Sequence, residues 1–147
     1  MASLLKVDAL TGVTTAGSIS VTGEGNSTTT NLQQGLAKVW VNFNGTGTVA
    51  IRDSLSVSGL TDNGTGDQTV AFANNMNNDD YSSTGTCLGG STDGANYSIF
   101  GAENASAAVT KTTSVVQCTS GFVSNTSAAA TAINHQEMNL VIHGDLA

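Results

Sequence analysis

Apolar residues in this chain recur at every second position, and no segment sustains a period of 3.6. Lys38 to Phe43 puts Val39, Val41 and Phe43 on one face, with Trp40 and Asn42 on the other. Successive side chains of a strand point to opposite faces, so this alternation marks a strand with one buried face. Thr48 to Arg52 repeats it with Val49 and Ile51, and Ser54 to Ser58 with Leu55 and Val57. Gln68 to Ala73 carries Val70 and Phe72, and Asn96 to Phe100 carries Tyr97 and Ile99. Val109 to Cys118 is a Thr- and Val-rich run, and Met138 to His143 alternates Met138, Leu140 and Ile142 with Asn139, Val141 and His143. Turn signals separate these runs. Asn44-Gly45-Thr46-Gly47 and Asp62–Asp67 supply the Asn and Gly that tolerate positive φ. Residues 38–73 therefore predict an antiparallel meander. Seven short strands joined by turns predict an all-β protein, an antiparallel β-sandwich of jelly-roll-like type.

The core available to that sandwich is small. Val, Leu, Ile and Phe supply 32 of 147 residues, while Gly, Ser, Thr and Asn supply 68. Proline is absent. A domain of this size buries a modest fraction of its surface, so association with further copies is expected to complete the burial. Residues 1–34 hold apolar residues in ones and twos between Thr, Gly and Ser, too sparse for a core. They predict an extended N-terminal attachment arm, with Leu4, Leu5, Val7, Leu10, Ile19 and Val21 as docking residues, ahead of a β-domain over 35–147. Residues 74–94 are polar and predict a long loop. Residues 124–132, rich in alanine, are the one place where a short helix is expected.

Charge excludes several functions. Four basic residues against eleven acidic ones leave no cationic footprint for phosphates, so no nucleic-acid partner is expected. No apolar stretch approaches the length that spans a membrane, and residues 1–30 lack the basic and apolar regions of a signal peptide. Assembly in the cytoplasm of the producing cell is expected. There Cys87 and Cys118 are expected as two separate buried thiols in preference to a disulfide. His135 and Glu137 would share a face of an alternating strand, yet no nucleophile, metal-ligand or phosphate-loop motif accompanies them. No catalytic residue, metal or cofactor is assigned, and the chain is expected not to be an enzyme. The Asp62–Asp67 segment resembles half of a calcium loop, with a plain hairpin turn favoured. Trp40 faces away from Val39 and Val41. It is expected either under a loop of its own chain or at a subunit contact, with sugar stacking as a third role.

The residues Lys38 and Trp40 to Ser54 (WVNFNGTGTVAIRDS), followed by Thr61 to Asp67 (TDNGTGD), resemble a module of tail-fibre and related virion proteins of tailed bacteriophages, particularly those of marine bacteria. The opening SLLKVDALTGVT and the ending MNLVIHGDLA are similar to the stretches that flank it. The close resemblance covers about a quarter of the chain. It implies a β-rich fold and a homotrimer on the virion surface, in contact with other virion proteins of the tail or capsid. The expected role is a non-enzymatic tail-fibre or tail-tip component that contributes to host adsorption. The alternatives are a capsid decoration protein, of head-fibre or cement type, and a glycan- or receptor-binding module. For the last of these, Tyr81 and Tyr97 are the candidate receptor face.

Overall fold

A computed structural model gives the fold and describes residues 4–12, 19–23, 28–88, 96–101, 110–124 and 130–146. The chain divides into two units, Met1–Leu36 and Ala37–Ala147. In the first, β1 (Ser20–Thr22) pairs antiparallel with β2 (Thr29–Asn31). A single helical turn, α1 (Leu32–Gly35), follows. Asn31 starts that turn, because its side-chain oxygen accepts from the Gln33 and Gln34 amides at 2.8 and 3.2 Å. The sequence pattern did not single out this helix.

The second unit is an antiparallel β-sandwich. Its strands are β3 (Val39–Asn44), β4 (Ala50–Leu55), β5 (Val57–Gly64), β6 (Asp67–Phe72), β7 (Ser82–Leu88), β8 (Asn96–Gly101), β9 (Val115–Ser124), β10 (Ala130–Ala132) and β11 (Glu137–His143). One sheet has the order β4-β3-β11-β7. The other runs β10-β9-β6-β5, with β8 also paired to β9. The alternation read from the sequence fixes what each strand buries. Val39, Val41 and Phe43 of β3 and Met138, Leu140 and Ile142 of β11 point inward from the first sheet. Val70 and Phe72 of β6 and Val116 and Cys118 of β9 meet them from the second. Each such side chain contributes roughly 1.5–3 kcal/mol through burial.

Residues 38–73 are not one meander. β3 and β4 form a hairpin in the first sheet, β5 and β6 a hairpin in the second. The chain changes sheet at Ser56, which has φ 56°. The run Ser54 to Ser58 is therefore split. Leu55 faces outward from the first sheet at 44% exposure, and Val57 packs against the core from the second.

The expected loop over 74–94 contains β7, with residues 89–95 outside the described residues. Its inward positions are Ser83, Gly85 and Cys87, too small to give an apolar alternation. Space forces that choice at the middle position, since a Cβ on Gly85 would overlap the Phe100 ring. Before β7, Met76 and Tyr81 insert into the core at 1% and 4% exposure. They close the end of the sandwich, with Met76 bridged to Leu146. Of the stretch 124–132, the described part is not helical: Ala130–Ala132 is β10, paired to Gly121–Val123. Residues 125–129 lie outside the described residues.

Gly66 ends the β5–β6 turn at φ 69°, and a Cβ there would also overlap the Ser120 carbonyl oxygen. Gly47, at φ 64°, has open space where its Cβ would be. Gly47→Ala should thus cost only the left-handed backbone strain, about 1 kcal/mol. Gly66→Ala adds a clash with backbone and should cost about 3 kcal/mol. Urea midpoints of the two variants measure the difference.

Candidate interaction surface

The outer face of the first sheet follows from the same alternation that builds the core. With Val39, Val41 and Phe43 inward, Trp40 and Asn42 must point out, where both are half-buried. Register then sets their neighbours, because side chains directly opposite across a pair share a face. Trp40 lies between Leu55 of β4 and Val141 of β11, and Val141 lies beside Thr84 of β7. The next row is Asp53, Asn42, Asn139 and Thr86. An apolar row of Leu55, Trp40 and Val141 thus crosses three adjacent strands, alongside a polar row.

Asn42, Asn139, Glu137 and Arg52 form one network on this face, while Asp53 accepts from the Ser54 amide at 2.8 Å. Asn42 Nδ2 donates to Asn139 Oδ1 at 2.6 Å, and Asn139 Nδ2 donates to Glu137 Oε1 at 3.2 Å. Glu137 Oε2 lies 3.6 Å from Arg52 Nη1, and Arg52 Nη2 donates to the Gln136 carbonyl. Arg52 reaches this network through a β-bulge. Asn42 pairs with Asp53 and Phe43 with Ile51, which leaves Arg52 as the extra residue on β4.

The structure separates the residues that the sequence placed near chemistry. His135 precedes β11 and is fully buried, with Nε2 3.1 Å from the Gly121 carbonyl oxygen. Glu137 faces outward beside Arg52, so the two do not share a strand face. Asp67 accepts from Gln117 Nε2 on both oxygens, at 2.8 and 2.9 Å, and from Asn63 Nδ2 at 3.1 Å. Asp62 Oδ1 accepts from the Gly64 amide at 3.1 Å. Both carboxylates therefore face N–H donors of the hairpin and of β9, an arrangement that holds a turn together. Among the described residues, no group of three His, Cys, Asp or Glu stands together to hold a metal ion. No helix among them is long and apolar enough to cross a membrane.

Tyr81 is not on a receptor face. Its hydroxyl donates to the Val115 carbonyl at 3.1 Å, and its ring meets Phe72 edge-on at 5.6 Å. Lys111 Nζ sits 4.5 Å from the ring centroid and donates to the Tyr81 carbonyl at 2.9 Å. A ring enclosed in this way has no face left for a sugar. The signal for this was its position: Tyr81 and Met76 are the large side chains in a stretch of small polar ones, so they are the ones able to plug the core. Tyr97 lies in β8, and its side chain falls outside the described residues. Of the arm residues, Leu4, Leu5, Val7, Leu10 and Val21 are exposed and Ile19 is half-buried.

Cys87 and Cys118 are both free. Burial pushes the Cys118 thiol up to about 12 from 9.0, with a smaller contribution from the Asp67 charge. Burial pushes the Cys87 thiol up as well. Burial likewise pushes the Tyr81 hydroxyl up to about 12 from 10.0, aided by Cys118 and Asp79. Compared with protein-family models, curated proteins and solved structures, the chain matches none.

The buried acids set an alkaline limit on stability. Above pH 9 the unfolded chain loses the Cys118 proton, which the folded chain keeps until about 12. Tyr81 adds the same effect above pH 10. The unfolded state then binds fewer protons, so stability falls as pH rises. The slope should reach about 1.4 kcal/mol per pH unit for each group. Denaturant titrations from pH 8 to 11 measure it, and Cys118→Ala should flatten the first part of the decline. In the native state at pH 8, Cys118 should resist thiol reagents that label it after unfolding.

Proposed function

We propose that this chain is a non-enzymatic structural protein of a bacteriophage particle. In this reading it is a surface-exposed, homotrimeric component of tail-fibre or tail-tip type, anchored through its N-terminal unit. The observation that supports this most is the exposure of the apolar residues in Met1–Leu36. Leu4, Leu5, Val7, Leu10, Val21 and Leu36 are 79, 80, 58, 60, 51 and 55% exposed. Isolated apolar side chains on a surface are ordinary. Six among the described residues of so short a unit, four of them within Leu4–Leu10, make a surface suited to lie against another.

A second observation agrees. The residues that carry the phage-module resemblance are used to build the sandwich. Asn44 closes the β3–β4 turn, with Oδ1 accepting from Thr46 and Nδ2 donating to the Thr46 carbonyl at 2.6 Å. Asp62, Asn63 and Asp67 close the β5–β6 turn. A module whose distinctive residues hold turns suits a scaffold role. Contribution to host adsorption then falls to exposed surface, and the burial of Tyr81 removes one of the two aromatic rings that a glycan-binding reading relied on.

Removing Met1–Leu36 tests the anchoring role. The remaining unit keeps all nine strands β3–β11 and should retain its β circular-dichroism spectrum and a cooperative melt. Particles complemented with the truncated protein should carry at least tenfold fewer copies than particles complemented with the full chain. Normal copy number on the particles would place attachment elsewhere and contradict the anchoring role.

A further inference from the structure

We infer that the Asn63-Gly64 pair in the β5–β6 turn is a self-modification site, at which Asn63 deamidates through a succinimide with Asp62 as the base. The inference is independent of the proposed role in a particle.

An asparagine followed by glycine can cyclise, because glycine leaves the approach of its amide nitrogen to the asparagine side chain unhindered. The chain has two such pairs, Asn44-Gly45 and Asn63-Gly64. The fold treats them oppositely. Gly45 is buried, its amide donates to the His135 carbonyl at 3.0 Å, and the space beside its Cα is taken by Met138 and the His135 backbone. Asn44 is held at both ends of its side-chain amide. Its Oδ1 accepts from the Thr46 amide and hydroxyl, and its Nδ2 donates to the Thr46 and Thr48 carbonyls. Asn63 and Gly64 are both exposed, with open space where a Gly64 Cβ would be. Asn63 is also the extra residue of a bulge, since Asp62 pairs with Gln68 and Gly64 with Asp67. Ring closure needs rotation about the bond from Asn63 Cα to its carbonyl carbon, and a residue outside the ladder resists that rotation least.

The turn also supplies a base. The Gly64 amide donates to Asp62 Oδ1 at 3.1 Å, so a carboxylate touches the proton that the nucleophile must lose. In the first step the Gly64 nitrogen bonds to Asn63 Cγ and its proton passes to Asp62. The Cγ–Nδ2 bond breaks, and Nδ2 takes up that proton and leaves as ammonia. Water then opens the succinimide at either carbonyl, which leaves aspartate or isoaspartate at position 63. The product weakens the turn. Asn63 Nδ2 donates to Asp67 Oδ1 and Thr69 Oγ1 at 3.1 and 2.8 Å, and both bonds are lost with the ammonia. A carboxylate then stands beside Asp67 where an amide donor stood, and like charges repel.

Peptide mapping by mass spectrometry of the full chain, held at pH 8, tests the inference. Asn63 should gain the mass of an amide-to-acid change at least tenfold faster than Asn44. In urea, where neither turn is formed, the two pairs should convert at similar rates. Asp62→Asn keeps an acceptor for the Gly64 amide but removes the base. It should slow conversion of Asn63 at least threefold and leave Asn44 unchanged. It should also make the rate at Asn63 rise more steeply with pH, because hydroxide is then the remaining base. Asn63→Asp, which mimics one product, should melt below the wild type. Circular dichroism establishes that each variant is folded. An Asn63 that converts no faster than Asn44 in the folded chain would overturn the site. A folded Asp62→Asn variant with the wild-type rate and pH profile would overturn the role of Asp62.

Discussion

The interaction on which the rest of this structure depends is the contact between the inward faces of β3 and β11 and those of β6 and β9. Ten side chains from these four strands fill the centre: Val39, Val41, Phe43, Met138, Leu140, Ile142, Val70, Phe72, Val116 and Cys118. The chain has few other large apolar residues to spend on a core. Every neighbouring element is therefore arranged to complete this one. Met76 and Tyr81 close its end, Phe100 covers Gly85 at its side, and Ser56 carries the chain from one sheet to the other.

Much of this was legible because β3, β6 and β11 alternate strictly, and period two leaves little choice about which face is buried. The hairpin turns were legible for a related reason. Asn and Gly at 44–47 and 62–67 sit where the backbone needs positive φ or a side chain that bonds back to it. What escaped reading lacked an apolar signal. β7 has Ser, Gly and Cys inward, and at Gly85 the space is taken by Phe100. The break at Ser56 is invisible for the opposite reason: Leu55 and Val57 alternate well, yet they serve different sheets. Tyr81 looked like a surface aromatic because its sequence neighbours are polar, and only the fold shows that it turns inward.

The outer face of the first sheet shows the same division. That Trp40 points away from the core follows directly from Val39 and Val41. That Arg52 and Glu137 join it does not, since they are brought together by a bulge and by pairing between strands distant in sequence. The titratable and polar groups of the interior, Cys118, Tyr81, His135 and Gln68, are enclosed by the fold. The outer face of the first sheet keeps apolar and amide groups, the Arg52 guanidinium and the carboxylates of Glu137 and Asp53.

The central claim is that the protein works as part of an assembled particle. Labelling intact, purified phage particles with a gold-conjugated antibody against residues 37–147 tests it most directly. The account predicts label at a fixed, symmetric position on the particle surface, at the tail for the proposed role. Particles that carry no label, while the protein is abundant and free in the infected cell, would contradict it.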